Sequence, residues 1–415
     1  WDDLCERPGA VKDASSGAGA CEHYERMTQD VGIIEDLGVD AYRFSIAWPR
    51  VVPDGLGRVN EPGLDFYDRL VDRLLEAGIT PYPTLYHWDL PSGLQNEIGG
   101  WCGRDIVEHF VRYTSHVVDR LGDRVKHWAT HNEPWCVAVL GHEVGEHAPG
   151  IRDRQKSFVA AHHVLLSHGR AVEVIRASVP DAQVGITLNL IPTTPARALP
   201  ADQAAARLLD GRVNRWFLDP IFGRGYPKDV VADLGLDLAS FQQEGDQKII
   251  AEPLDWLGVN YYSRMVVAHN PLDSTRPRQI AAPADNRTDI GWELYPSGLT
   301  ETLLRVHREY GPPSIFVTEN GAAISTPPDG DRVPDLRRTS YLQSHLDATL
   351  TARAAGAPVD GYFVWSLMDN FEWAHGYTQR FGIVWVDYET QERTLKDSAL
   401  WYQRLCNSRL TGPTS

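Results

Sequence analysis

The stretch "VKHWATHNEPWC", residues 125–136, is an apolar β-run that ends on two polar groups, Asn132 and Glu133, and is halted by Pro134. Alone it reads as a capped turn carrying a charge. Its weight comes from repetition. The runs "DAYRFSI" (40–46), "TPYPTLYHW" (80–88), "QVGITLNL" (183–190), "DWLGVNYY" (255–262), "SIFVTENG" (314–321) and "VDGYFVWSL" (359–367) are of similar length, seven to nine residues, and share a β-branched and aromatic bias. Amphipathic helical patterns separate them, among them "GLDFYDRLVDRLLEAG", "GRDIVEHFVRYTSHVVDRLG" and "RRTSYLQSHLDATLTARAAG", and several close on Gly. Alternating strand and helix implies a parallel sheet with right-handed crossovers.

An open doubly wound sheet and a closed barrel both satisfy that alternation. No GxGxxG or GxxxxGK[ST] follows the first strand, which removes the usual mark of a nucleotide-binding open sheet. Polar or aromatic residues instead sit at the carboxyl ends of the strands: Arg43, His87, Asn132, Asn189, Tyr262, Glu319 and Trp365. A barrel places its active site at that face, so the expected fold class is α/β, a (β/α)8 TIM barrel. The count is short by one strand. "CEHYERMTQDVGIIEDLG" has no strand ahead of it, so the first strand is expected to be missing from the chain as given. With no low-complexity run, linker or internal period, residues 1–415 are expected to form a single catalytic barrel domain with long βα loops.

Composition narrows the partners. The 415 residues are 42% hydrophobic and 23% charged, with a net charge of −16, which disfavours nucleic acid and anionic membrane surfaces. No apolar run is long enough to span a bilayer, and the start lacks the pattern of a signal peptide. Cys5, Cys21, Cys102, Cys136 and Cys406 lack CxxC spacing and are odd in number, so reduced thiols in the cytoplasm are expected. Thirteen Trp and sixteen Tyr serve packing first, and their surplus suits the stacking faces of a carbohydrate site. Self-association is left open.

Two glutamates carry the chemistry. Glu133 and Glu319 each end a strand beside an asparagine, in "HNEP" and "VTENG", and strands four and seven of a barrel face one another across its mouth. Paired carboxylates so placed are the apparatus of glycoside hydrolysis, one protonating the leaving oxygen and the other attacking or activating water.

The segments "YRFSIAWPR", "YHWDLP", "THNEPW", "LGVNYYS", "VTENG" and "WSLMDNFEWAHGYTQRFGIVWVDY" resemble, in order and through essentially the whole chain, those of glycoside hydrolase family 1, the retaining β-glucosidases and β-galactosidases. That resemblance implies Glu133 as general acid/base and Glu319 as nucleophile. It implies Arg43 and Tyr262 as the groups that orient the nucleophile, and His87, Asn132, Trp365, Glu372 and Trp373 as ligands of the terminal sugar, with Asn189 as a further polar contact. The substrate it implies is a small β-glucoside such as cellobiose, a cello-oligosaccharide or an aryl glucoside, with β-galactosides or fucosides beside them, and the reaction needs no metal and no cofactor. A glycone ligand on the absent first strand has no counterpart by motif. Two alternatives stay open: a sugar-binding pseudoenzyme, if the chain truly starts at Trp1, and a 6-phospho-β-glycosidase, which Glu372 disfavours by charge.

Other conspicuous residues have plainer readings. His162, His163 and His168 share one helix and are read as satisfied packing histidines. Trp48, Trp101 and Trp385 are read as packing, and Cys136 as a small buried hydrophobe.

Overall fold

The computed structural model describes residues 1–408. Seven strands form one parallel sheet: β1 (Ala41–Ser45), β2 (Thr80–Tyr86), β3 (His127–Asn132), β4 (Gln183–Asn189), β5 (Trp256–Asn260), β6 (Ile315–Asn320) and β7 (Val359–Val364). They pair in chain order, so β1 and β7 are the two strands with one neighbour each among the described residues. The number of strands is the one read from the sequence, and each lies inside its expected run.

The sheet is curled, which the rings inside it prove. In a flat sheet β2 and β7 would lie about 24 Å apart at about 4.8 Å per strand. Tyr82 of β2 nevertheless packs against Phe363 of β7 with ring centroids 5.3 Å apart, and also meets Phe316 of β6 at 5.6 Å. His127, the first residue of β3, stacks on Tyr82 at 4.3 Å, and Trp256, the first of β5, joins at 6.3 Å. These rings plug the amino end of a (β/α)8-type barrel.

Helices cover the outside. They include α1 (His23–Leu37), α2 (Glu61–Glu76), α3 (Ile106–Leu121), α4 (Arg154–Ser178), α5 (Pro296–Tyr310), α6 (Leu336–Ala354) and α7 (Asp397–Ser408). On α3 the buried residues Ile106, Phe110, Tyr113, Val117, Val118 and Leu121 recur at three- and four-residue spacing, the stripe that packs a helix onto strands. Tyr113 Oη donates to the carbonyls of Ile46 and Leu85, and the Phe110 and Tyr113 rings pack against Trp48. Three short strands, Thr193–Pro195, Met265–Ala268 and Arg278–Ile280, form a separate small sheet above the mouth that the sequence reading does not anticipate. Among the described residues no helix is long and apolar enough to cross a membrane.

Each of the three helix histidines has a neighbouring partner, His168 through one ring nitrogen only. His162 is bonded to Tyr226 Oη and Asp246, His163 Nδ1 to the Trp101 carbonyl, and His168 Nδ1 to Thr130 Oγ1. Trp48 and Trp101 are wholly buried, and Trp385 lies under the Arg380 guanidinium at 3.6 Å.

Candidate active site

Asn132, Asn189 and Asn260 are the last residues of β3, β4 and β5, and Glu319 is the penultimate residue of β6. The carboxyl end of the barrel therefore gathers polar groups where the amino end gathers rings. Glu133 follows β3 with a backbone φ of +46°, and Trp88 and Trp373 at the same mouth have φ of +80° and +47°. Non-glycine residues in that region cost of order 1 kcal/mol or more each and persist where surrounding contacts hold them. Behind Glu319, Gly321 is required by space: a Cβ there would lie 1.7 Å from the Trp365 carbonyl oxygen.

A continuous hydrogen-bonded chain joins the two glutamates. Arg43 Nη1 donates to Glu319 Oε1 at 2.7 Å, and its Nη2 donates to Asn132 Oδ1 at 2.6 Å. Asn260 Nδ2 donates to Asn132 Oδ1 at 3.1 Å and to Glu133 Oε1 at 2.7 Å. The second oxygen of Glu319 accepts from Tyr262 Oη at 2.6 Å. The Arg43–Glu319 ion pair is almost dry, its side chains 7% and 4% exposed, so its partners are held by geometry that bulk water does not compete for.

The remaining groups close around this chain. His87 Nε2 accepts from Asn132 Nδ2 at 3.0 Å, which leaves its proton on Nδ1. Burial, with the Arg43 charge beside it, holds His87 well below the usual imidazole range, so it is neutral. The His87 ring lies 5.7 Å from Trp365 and 6.0 Å from Trp373. Glu372 precedes Trp373 on a loop anchored at its base by buried Asp369, which accepts from Arg380 at 2.7 Å, Lys396 at 2.8 Å and the Gly382 N–H at 3.0 Å. Asn189 sits opposite Asn260 in register but takes no part in the hydrogen-bonded chain.

Three carboxylates face one enclosed space, and two are pushed up by it. Glu133 is raised to about 7, by burial first and by the Glu319 charge second, with Asn260, Cys136 and Arg43 pulling the other way. Glu372 is raised to about 8 by burial and then by the charges of Glu319 and Glu133. Such a site holds a proton on a carboxyl group at neutral pH and can deliver it.

The site residues singled out in the sequence meet in this network or its aromatic wall, apart from Asn189 and Glu372, the latter reaching the two glutamates through charge alone. Two were under-read. Asn260 was noted only as part of "LGVNYYS", yet its amide spans Asn132 and Glu133. Cys136 is buried as expected, but it is more than filler: its Sγ lies 3.0 Å from Glu133 Oε2 as donor.

A curled, barrel-type parallel sheet with two carboxyl groups hydrogen-bonded into one site at its carboxyl end defines a barrel hydrolase of the paired-carboxylate kind. The chain belongs to glycosyl hydrolase family 1, whose sequence profile matches residues 1–410. Beta-glucosidase A of Thermotoga maritima is 45% identical over 98% of this chain and 91% of its own length. The beta-glucosidase of an Agrobacterium species is also 45% identical, over 98% of this chain and 89% of its own. Among solved structures, the family 1 β-glucosidase from Thermotoga maritima superposes with a TM-score of 0.93 at 45% identity, over 98% of this chain and 91% of that one. The AHE enzyme from Alicyclobacillus herbarius does so with a TM-score of 0.96 at 47% identity, over 100% and 92%.

Proposed function

We infer that this protein is a retaining β-glucosidase that removes the non-reducing terminal β-D-glucosyl unit from cellobiose, cello-oligosaccharides and aryl β-glucosides, and accepts β-galactosides and β-fucosides. The observation that carries the reading is the hydrogen-bonded chain Glu319–Arg43–Asn132–Asn260–Glu133, which locks two carboxyl groups of unlike surroundings into one site. The names of the relatives support the substrate class.

In the first step Glu319, oriented by Arg43 and Tyr262, attacks the anomeric carbon while Glu133 gives its proton to the departing oxygen. A glycosyl ester forms on Glu319 and removes its negative charge. That charge is the second cause holding Glu133 up, so Glu133 becomes more acidic once the ester exists. It then takes a proton from the water that cleaves the ester. Asn132 has one Nδ2 hydrogen left for a sugar hydroxyl, and His87 offers Nδ1–H, both beside the Trp365 and Trp373 rings. Glu372 accepts from hydroxyls of the same sugar, Asn189 supplies a further polar contact at the rim, and no metal or cofactor enters the chemistry.

A 6-phosphate brought against Glu372 would oppose its ionisation still further, and the carboxyl group offers no positive charge in either protonation state, which disfavours phosphorylated substrates. Both carboxylates stand with their partners in place, which disfavours a non-catalytic sugar binder. The free thiols of Cys5, Cys21, Cys102 and Cys136 suit a reducing cytoplasm, where imported products of cellulose breakdown would be the substrates. Residues 1–415 would then form a single catalytic domain.

The test uses p-nitrophenyl β-D-glucoside. Glu319→Gly should abolish hydrolysis, and α-D-glucosyl fluoride should restore transfer to an acceptor sugar. Glu133→Ala should recover turnover with added azide and yield β-glucosyl azide. Unchanged hydrolysis by Glu319→Gly would overturn the assignment.

A further inference from the structure

Both carboxylate oxygens of Glu133 are engaged, by chemically unlike partners. Oε1 accepts from Asn260 Nδ2 at 2.7 Å, and that amide cannot turn over, because its Oδ1 accepts from Thr318 Oγ1 at 2.7 Å. An amide N–H only donates, so Oε1 is kept as an acceptor whether Glu133 is ionised or not. Oε2 meets the Cys136 thiol at 3.0 Å. A thiol donates weakly and accepts weakly, so it can face Oε2 in either protonation state.

The backbone builds this contact. The left-handed turn at Glu133 sends the chain back on itself, the Cys136 N–H bonds to the Glu133 carbonyl at 2.9 Å, and the side chain three residues on falls beneath the carboxylate. We propose that Cys136 is a positioning residue for Glu133: it keeps the transferable proton on Oε2 and donates to that oxygen once the proton has left. The proposal rests on the reading of Glu133 as acid/base.

Each step balances without sulfur chemistry. As the bond from the anomeric carbon to the leaving oxygen breaks and Glu319 bonds to that carbon, the Oε2 proton passes to the leaving oxygen, and the S–H rotates to donate to the anionic Oε2. As water attacks the anomeric carbon and the ester to Glu319 breaks, Oε2 takes the water proton and the S–H turns away. Burial pushes the Cys136 thiol well above its ordinary range, so it stays neutral throughout. The other titratable or charged groups facing Glu133 are Glu319 from β6, Arg43 from β1, Tyr262 after β5 and Glu372 after β7, with Glu146 on the thiol's side.

The experiment compares the pH dependence of kcat/KM on p-nitrophenyl β-D-glucoside for the parent protein, Cys136→Ala and Cys136→Ser. Removing a donor to the ionised form should move the basic limb of Cys136→Ala up by about half a pH unit. Serine, a stronger donor, should hold the limb at or below the parent's. A limb that stays put in both variants, or moves up equally in both, overturns the proposal. The S–H infrared band of the intact parent gives a readout that needs no cysteine variant. It should shift as pH crosses the basic limb and stay fixed in Glu133→Gln; a band indifferent to Glu133 also overturns the proposal. Failure of azide to rescue Glu133→Ala would instead show that the acid/base reading itself is wrong.

Discussion

In the amino-terminal halves of β2, β3, β5 and β6, Tyr82, His127, Trp256 and Phe316 meet ring to ring, and Phe363, the penultimate residue of β7, packs on Tyr82. At the carboxyl ends, Arg43, Asn132, Glu133, Asn260 and Glu319 meet through hydrogen bonds from β1, β3, β5 and β6. Strands β3, β5 and β6 take part in both assemblies, and the curl of the sheet is thus held twice, once with apolar area and once with charge. The first closure asks only for volume and shape. The second needs each donor matched to an acceptor, and it accepts left-handed backbone at Trp88, Glu133 and Trp373. Stability and catalysis should therefore be separable by position along a single strand.

Strand β6 allows the sharpest test, because Phe316 belongs to one closure and Glu319 to the other. Phe316→Ala removes a ring that touches Tyr82, Trp256 and Phe363 and should cost about 3–5 kcal/mol of stability, read as a lower urea midpoint. Its kcat at a temperature well below melting should stay near the parent's. A comparable fall in kcat would show that the plug also tunes the mouth, and the separation would fail.

The reciprocal change is Arg43→Met. It takes the cation from Glu319 Oε1 and from Asn132 Oδ1 at once. Loss of one preorganised donor at a charged centre typically costs about 10²–10³ in rate, and kcat/KM should fall by at least that much. The decisive feature is that kcat falls with kcat/KM, as it does when an interaction of the transition state is lost. A rise in KM with kcat intact would make Arg43 a binding residue only.

Much of this contrast can be read from the sequence, because a strand's period of two and its terminal punctuation survive without tertiary information. The seven runs overrun the observed strands chiefly at their polar carboxyl ends, as at Trp88 and Tyr262, where the chain stays extended in composition after leaving the sheet. Glu133 and Glu319 are legible because each is a carboxylate where a strand stops. What could not be read is direction. Asn260 looks like any strand-end asparagine until the curl of the sheet turns its amide toward Glu133. Cys136 looks like a hydrophobe until the positive φ at Glu133 folds it back. The small sheet above the mouth escaped because strands of three or four residues, one containing Pro195, carry too few positions to show alternation.

The polar closure should also reveal its cost through pH. Between the ordinary carboxylate range and about 8, the folded protein keeps a proton on Glu372 that the unfolded chain releases. Stability changes with pH as the protons bound unfolded minus those bound folded, so this difference makes stability fall as pH rises through that window, by at most about 1.4 kcal/mol per pH unit. Glutamine carries no charge at any pH in the range and fits the same volume. Glu372→Gln should therefore melt with the parent at pH 5 and above it at pH 8, by on the order of 2 kcal/mol, while hydrolysing glucosides more slowly. Thermal melts of both proteins across this range read the effect directly. Parallel curves would mean that Glu372 is ionised at little cost, and that the mouth of the barrel carries its three carboxylates more cheaply than their burial implies.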